Sequence, residues 1–209
     1  ADSDDEDDPL ANLPDGYSVF ELDDGWPPAK RFAGPSMVAV PPIPQPKSLT
    51  MMNDAISEEL ADRIYGFAEN VKGEPWGRYI PIEEAADPNF VYEDQARQIA
   101  HAGVRELWFG AVQRMKPSLL PLDSLLERVH GFEVWCLSGA VGNNCPYHID
   151  FAEFQRYQHN AVFLPLYSAT MHASRDRITG GCFTAHTGGL KHYLKLGYKG
   201  AFVGGAEGV

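Results

Sequence analysis

The stretch Cys145-Pro-Tyr-His-Ile-Asp-Phe-Ala-Glu-Phe154 puts an imidazole and a carboxylate, His148 and Asp150, two residues apart. Side chains alternate faces along an extended chain, so residues i and i+2 project together. An imidazole and a carboxylate on one face are two thirds of a 2-His-1-carboxylate set. Such a set grips iron from one side and leaves open positions for a co-substrate and oxygen. A lone His-x-Asp is short, and two polar residues on an ordinary strand would read the same way. Its neighbours set this one apart. It follows an apolar stretch, "FEVWCLSG" at 132–139, and opens a strand-rich half of the chain. About thirty residues later a Gly-Gly pair starts another strand-like stretch, "TGGCFTAH" at 179–186. Glu153 falls off the face shared by His148 and Asp150 and is not counted as a ligand. Cys145 stands three residues before His148, but no second Cys-x-x-His pair accompanies it, and nothing local makes it an activated thiol. The chain has neither a G-x-S-x-G elbow nor a P-loop.

Helices precede the strands that carry this motif. "DAISEELADRIYGFAENVKG" reads as a helix, with Ile56, Leu60, Ile64, Phe67, Ala68 and Val71 at three- and four-residue steps. Ser57 is its expected N-cap, Glu58 and Glu59 suit the positive end of its dipole, and Gly73 is its expected stop. A longer helix is expected from about Gln95 to Met115, with Ile99, Leu107, Trp108, Ala111, Val112 and Met115 on its apolar face, closed by Pro117 and Pro121. "DSLLERVHG" reads as a short third helix, capped by Asp123 and stopped by Gly131. The stretch between the first two helices is loop-rich with short strands. After Gly131, "FEVWCLSG", "YHIDFAEF", "AVFLPLYSATMHAS", "GGCFTAHT" and "YKGAFVGG" read as strands between Gly, Asn and Asp turns. Helices followed by strands give an α+β expectation, an antiparallel sheet backed by helices. Helices occupy 54–131 and a strand-rich region 132–209, within one domain at 48–209.

Residues 1–47 read as an arm, acidic at first and Pro-rich at its end, "VPPIPQPK". The net charge of −12 is concentrated there: residues 1–24 hold ten acidic and no basic side chains, leaving 19 acidic against 17 basic elsewhere. The opening reads as a solvated tail or a docking segment for a basic protein partner. Tyr17, Val19, Phe20, Leu22 and Trp26 are too apolar for a wholly free tail. No basic stripe with interleaved aromatics suggests nucleic acid. No apolar run reaches the roughly 18 residues of a membrane helix. Three widely spaced cysteines, Cys136, Cys145 and Cys182, point to a reducing intracellular compartment rather than a disulfide framework.

His-x-Asp, an apolar strand and then Gly-Gly opening another strand resemble the Fe(II)/2-oxoglutarate-dependent oxygenase superfamily. "ISEELADRIYGFAEN" is similar to its leading helix, and the resemblance covers about residues 48–209. It implies N-terminal helices packed on an antiparallel double-stranded β-helix, a jelly roll. It also implies Fe(II) held by His148 and Asp150, with 2-oxoglutarate as co-substrate. The reaction implied is oxidation of a small-molecule or protein substrate. In that family a second His and then a basic anchor for the distal carboxylate stand on later strands. By the Gly-Gly register "YKGAFVGG" is the strand just before that His. The expectation is therefore an incomplete barrel, with the third ligand beyond Val209 or at His192, 44 residues after His148. His159, His172 and His186 are weaker third ligands. Tyr147, Asn160, Tyr167 and Arg175 are the candidates to bind the co-substrate, with Arg177, Lys191, Lys195 and Lys199 as further late cations. Two alternatives stay open: a catalytically inactive oxygenase-like module docking onto a larger assembly through its arm, and a cupin-like barrel using a metal without 2-oxoglutarate.

Overall fold

The computed structural model describes residues 10–11, 13, 17–22, 36–40, 49–70, 78–115, 118, 122–135, 148–152, 159–173, 185, 192 and 195. The chain divides into two compact units. One comprises Ala1–Leu49, Asn144–Ser168 and Phe183–Val209, the other Thr50–Asn143 and Ala169–Cys182.

The first unit is built on a three-stranded sheet in the order β1-β2-β5. β1 (Ser18–Leu22) and β2 (Ser36–Val40) pair antiparallel, and β2 pairs parallel with β5 (Ala161–Phe163). Two of its three strands therefore come from the stretch that composition assigns to an arm. Val38 and Ala39 of β2 and Val162 of β5 are fully buried, so this part of the arm is core. β2 and β5 are parallel, where the strand order alone suggests an antiparallel sheet. Their partners lie more than a hundred residues apart, and a connection of that length imposes no hairpin geometry. β5 ends at Phe163, well short of the strand expected over 161–174, and Pro165, with no N–H, interrupts the edge that faces away from β2. Asn160, just before β5, is buried and has φ of 53°. Asn tolerates this left-handed geometry better than most residues, and its carbonyl accepts from the Met37 N–H at 3.3 Å.

The second unit carries the helices. α1 (Glu58–Asn70) starts at Ser57, whose Oγ accepts from the Leu60 N–H at 3.3 Å, the expected N-cap. The Ser57 hydroxyl in turn donates to the Glu106 carboxylate at 2.9 Å, which also accepts from the Ser57 N–H. A negative charge thus sits at the positive end of α1. Leu60 is buried and Ile64, Phe67 and Ala68 are half-buried, as the periodicity requires. Gly73, Pro117 and Pro121 lie outside the described residues.

β3 (Arg78–Pro81) leads directly into α2 (Ile82–Ala86), a five-residue helix that the loop-rich texture conceals. Pro88 ends it, because a residue before proline is driven out of the helical region, and Asp87 is extended (φ −81°, ψ 112°). The last α2 carbonyls are taken from another helix. His101 Nε2 lies 2.9 Å from the Glu84 carbonyl, and Arg105 Nη1 donates to those of Ala85 and Ala86 at 3.0 and 2.9 Å.

The expected second helix runs as one helical stretch in three parts, α3 (Gln95–Val104), a π-helical segment (Arg105–Val112) and α4 (Gln113–Met115). Asp94 caps it by accepting from the Arg97 N–H at 2.9 Å. The i→i+5 bonding of the middle part shifts the apolar phase away from a strict 3.6 repeat. Ile99, Ala111 and Val112 are buried as expected, but Met115 is 45% exposed. α5 (Leu122–Arg128) begins one residue before Asp123, which therefore sits in the first turn rather than at the cap.

Gly131 opens β4 (Gly131–Val134) rather than closing α5, and β4 pairs antiparallel with β3. A Cβ there would lie 2.5 Å from the Ile80 carbonyl oxygen and from the Tyr79 ring. Gly131→Ala is expected to destabilise the fold by about 1–3 kcal/mol, because a backbone oxygen cannot swing aside. An unchanged urea midpoint in that variant would show that the strands separate freely at this end.

The core of this unit is Ile80, Ala85, Ala100 and Val104, with Tyr92, Trp108, Phe109, Phe132 and Val134 packed against it. Trp108 and Phe109 bracket Phe132, with ring centroids 5.9 and 6.2 Å away. The Tyr92 hydroxyl donates to the Glu84 carboxylate. Burial first, then that hydrogen bond and charge, raise the Tyr92 pKa above 10.0, opposed by Arg97. A raised folded-state pKa gives stability that is full below the unfolded value and is lost as pH rises through the folded one. Melting temperature should therefore fall above about pH 10, and Tyr92→Phe should flatten part of that fall. Equal alkaline slopes in the two proteins would remove Tyr92 from the account.

Among the described residues the sheets are small and neither closes, and no double-stranded β-helix is present. The stretch "YKGAFVGG", and all of "GGCFTAHT" but Ala185, lie outside them. No helix among them is long and apolar enough to cross a membrane.

Candidate functional site

His148 and Asp150 stand on a short extended segment of the first unit, 148–152. Two anchors place it. Phe151, between the motif and Ala152, is 5% exposed and fills the core. The Ala152 N–H donates to the Phe163 carbonyl at 2.9 Å. Toward β2, this stretch uses the Asn160 carbonyl and the Leu164 N–H, the latter donating to the Ala39 carbonyl at 3.1 Å. Backbone groups alternate sides along a strand, so the Phe163 carbonyl belongs to the other edge. The motif therefore lies beside β5 on the edge away from β2. The expected strand over 147–154 is not formed at 148–152, since Pro165 has no N–H for a continued ladder along β5 and its sequel.

The shared face expected from the i, i+2 spacing is present. His148 Nε2 lies 3.2 Å from Asp150 Oδ1, with side-chain exposures of 40% and 30%. The Asp150 carboxyl is held below the ordinary carboxylate range. The His148 hydrogen bond is the largest cause, burial opposes it, and a hydrogen bond from Ser168 and the charge of His148 add to the lowering. The group is therefore an anion at neutral pH. Its contribution to stability is present above the unfolded pKa and is lost as pH falls through the folded one.

This donor set fits a divalent metal. Two cis ligands each about 2.1 Å from one ion stand about 3 Å apart, close to the observed Nε2–Oδ1 separation. A neutral imidazole and a carboxylate suit Fe(II). Without an ion, the same separation serves a charged hydrogen bond.

The other candidates are dispersed. Tyr167 is half-buried, His192 is half-buried in a helical turn, Asn160 is buried at the start of β5, and His159 and His172 are exposed. Among the described residues no third His, Cys, Asp or Glu joins the pair in a group able to hold a metal, His192 included. Tyr147, Arg175, Arg177, His186, Lys191 and Lys199 lie outside the described residues, and Lys195 is exposed. Ser168, which the motif does not point to, also lowers the Asp150 pKa. No spacing signal marks it, because 18 residues and β5 separate the two. An open cleft between α1 and α3, lined by Asp62, Arg63, Gly66, Phe67, Gln95 and Ile99, belongs to the other unit and contains no imidazole or thiol. Comparison of the chain with protein-family models, curated proteins and solved structures finds no match to any of them.

Proposed function

We propose that the chain is a non-haem iron protein of the 2-oxoglutarate-dependent dioxygenase type, with His148 and Asp150 as two of its iron ligands. The observation that carries this is the 3.2 Å approach of His148 Nε2 to Asp150 Oδ1 on one short segment, with Asp150 kept anionic. With Fe(II) and 2-oxoglutarate bound, the chemistry supplied would be oxidation of an unactivated C–H bond of a small-molecule or protein substrate. Dioxygen would be the oxidant, one of its atoms entering the substrate and the other the succinate formed, with carbon dioxide, from the co-substrate. The chain's own contribution is positional. Phe151 and the Ala152–Phe163 bond tie the ligand segment to the sheet, so the imidazole and the carboxylate meet the ion already oriented. His148 must present a deprotonated Nε2 to the ion, so metal uptake is favoured as pH rises through its titration. The proposal includes Tyr147, Asn160, Tyr167 and Arg175 as the candidates to bind the co-substrate, and a double-stranded β-helix as the fold.

An anaerobic titration with Fe(II) and 2-oxoglutarate, followed by visible charge-transfer absorption, tests this. A saturable band that disappears in His148→Ala is the expected result. Metal binding without a 2-oxoglutarate band would favour a cupin-like use of the site. No metal binding at all would leave His148 and Asp150 as an ion pair in a non-catalytic module.

A further inference from the structure

The cleft between α1 and α3 in the second unit has no part in the iron reading. Its volume is about 290 Å³, and Asp62, Arg63, Gly66, Phe67, Gln95 and Ile99 line it. Gly66 is the residue that packing does not account for. It lies inside α1, where glycine costs helix stability relative to alanine. A Cβ built on Gly66 would meet nothing within 4 Å, whereas one on Gly131 would strike β3. No neighbour excludes a side chain at Gly66, and its absence leaves space beside half-buried Phe67 and buried Ile99. The charged lining carries both signs, a carboxylate and a guanidinium on consecutive residues of one helix.

We propose that this cleft binds a free α-amino acid with an apolar side chain, independently of the iron site. The apolar side chain lies over Gly66 between Phe67 and Ile99. The α-carboxylate meets the Arg63 guanidinium and the α-ammonium meets the Asp62 carboxylate. A ligand with a single charge would face one attractive and one repulsive neighbour, and a zwitterion satisfies both. The guanidinium fork matches a carboxylate with paired N–H donors. Asp62 already has an interaction within the chain, and a carboxylate with about four lone-pair sites accepts a further donor. Gln95, the first residue of α3, adds a carboxamide able to donate to the carboxylate or accept from the ammonium. The volume stands at the small end of ligand pockets, which suits a compact molecule rather than a nucleotide. Arg63 is exposed, so its ion pair is screened and binding is expected at about 1 mM.

The test is an NMR titration of the full chain with L-phenylalanine, read at the backbone amides of residues 66 and 67. Phenylpropanoate, which lacks the ammonium, and phenethylamine, which lacks the carboxylate, are titrated beside it. L-phenylalanine should give saturable shifts, and each single-charge analogue should bind at least about tenfold more weakly. Arg63→Ala, at an exposed position, should weaken L-phenylalanine about tenfold. Gly66→Leu fills the space and should abolish the shifts. Gly66→Ala should raise the melting temperature by about 2–4 °C, since helix propensity improves and nothing stands in the way. No saturable shift by about 10 mM L-phenylalanine would overturn the site. Unchanged binding in Gly66→Leu would do the same. Either analogue binding as tightly as L-phenylalanine would overturn the amino-acid assignment. A lower melting temperature in Gly66→Ala would show that the fold itself requires this glycine, and would remove the reason for placing a ligand over it.

Discussion

Asp150→Ala is expected to lower Fe(II) affinity by more than about a hundredfold, since even changes to outer-shell partners cost about 10- to 100-fold. The substitution removes the one anionic oxygen donor paired with His148 and leaves a single imidazole on the segment. Asp150→Asn is the sharper companion. It keeps the shape and one oxygen but removes the charge, and a hard divalent ion selects for that charge. Isothermal titration under anaerobic conditions reads both variants. If the two residues form only an ion pair, neither variant will change metal binding. Asp150→Ala would then cost about 1 kcal/mol or less of stability, as a partly exposed pair does. Unchanged iron affinity in Asp150→Ala sinks the ligand assignment outright.

The second large effect lies in the other unit. Ile80→Ala is expected to cost about 2–5 kcal/mol, the range for deleting most of a buried aliphatic side chain and leaving a cavity. Ile80 is wholly inaccessible and sits where β3, α2, α3 and the π-helical segment meet over Phe132. Its neighbours are held by rings and by backbone pairing, so they have little freedom to close the space. Met51→Ala, at a side chain 88% exposed, should stay within about 0.5 kcal/mol and serves as the control. Both are read from urea unfolding midpoints. Against a typical total of about 5–15 kcal/mol, the Ile80 variant should be visibly compromised. A loss no larger than that of Met51→Ala would mean that β3 is not the centre of this core.

Local features were legible wherever a short-range rule governs them. Ser57 caps α1 because its hydroxyl reaches the N–H three residues on, a relation contained within one turn. The apolar face of α1 follows from spacing alone. His148 and Asp150 share a side because alternation along an extended chain puts them there, whether or not a ladder forms. Boundaries were less legible. Gly131 reads as a helix stop in isolation, yet it is glycine because Tyr79 and the Ile80 carbonyl approach it from β3, some fifty residues earlier. The π-helical turn over Arg105–Val112 keeps an apolar face, and a 3.6-residue template does not distinguish it from an ordinary helix.

By itself the sequence determined the cap and apolar face of α1, the helical stretch from Gln95 to Met115, the acidic opening, and the pair of donors that carries the proposed chemistry. Each depends on composition or on neighbours a few residues apart. Only the tertiary structure decided that Ser36–Val40 is core rather than arm, because its burial comes from β5 more than a hundred residues later. It likewise decided that β2 and β5 run parallel, and that His101 and Arg105 finish α2. Contacts between distant segments are chosen by which surfaces pack and which hydrogen bonds remain to be made, and no local pattern encodes that choice.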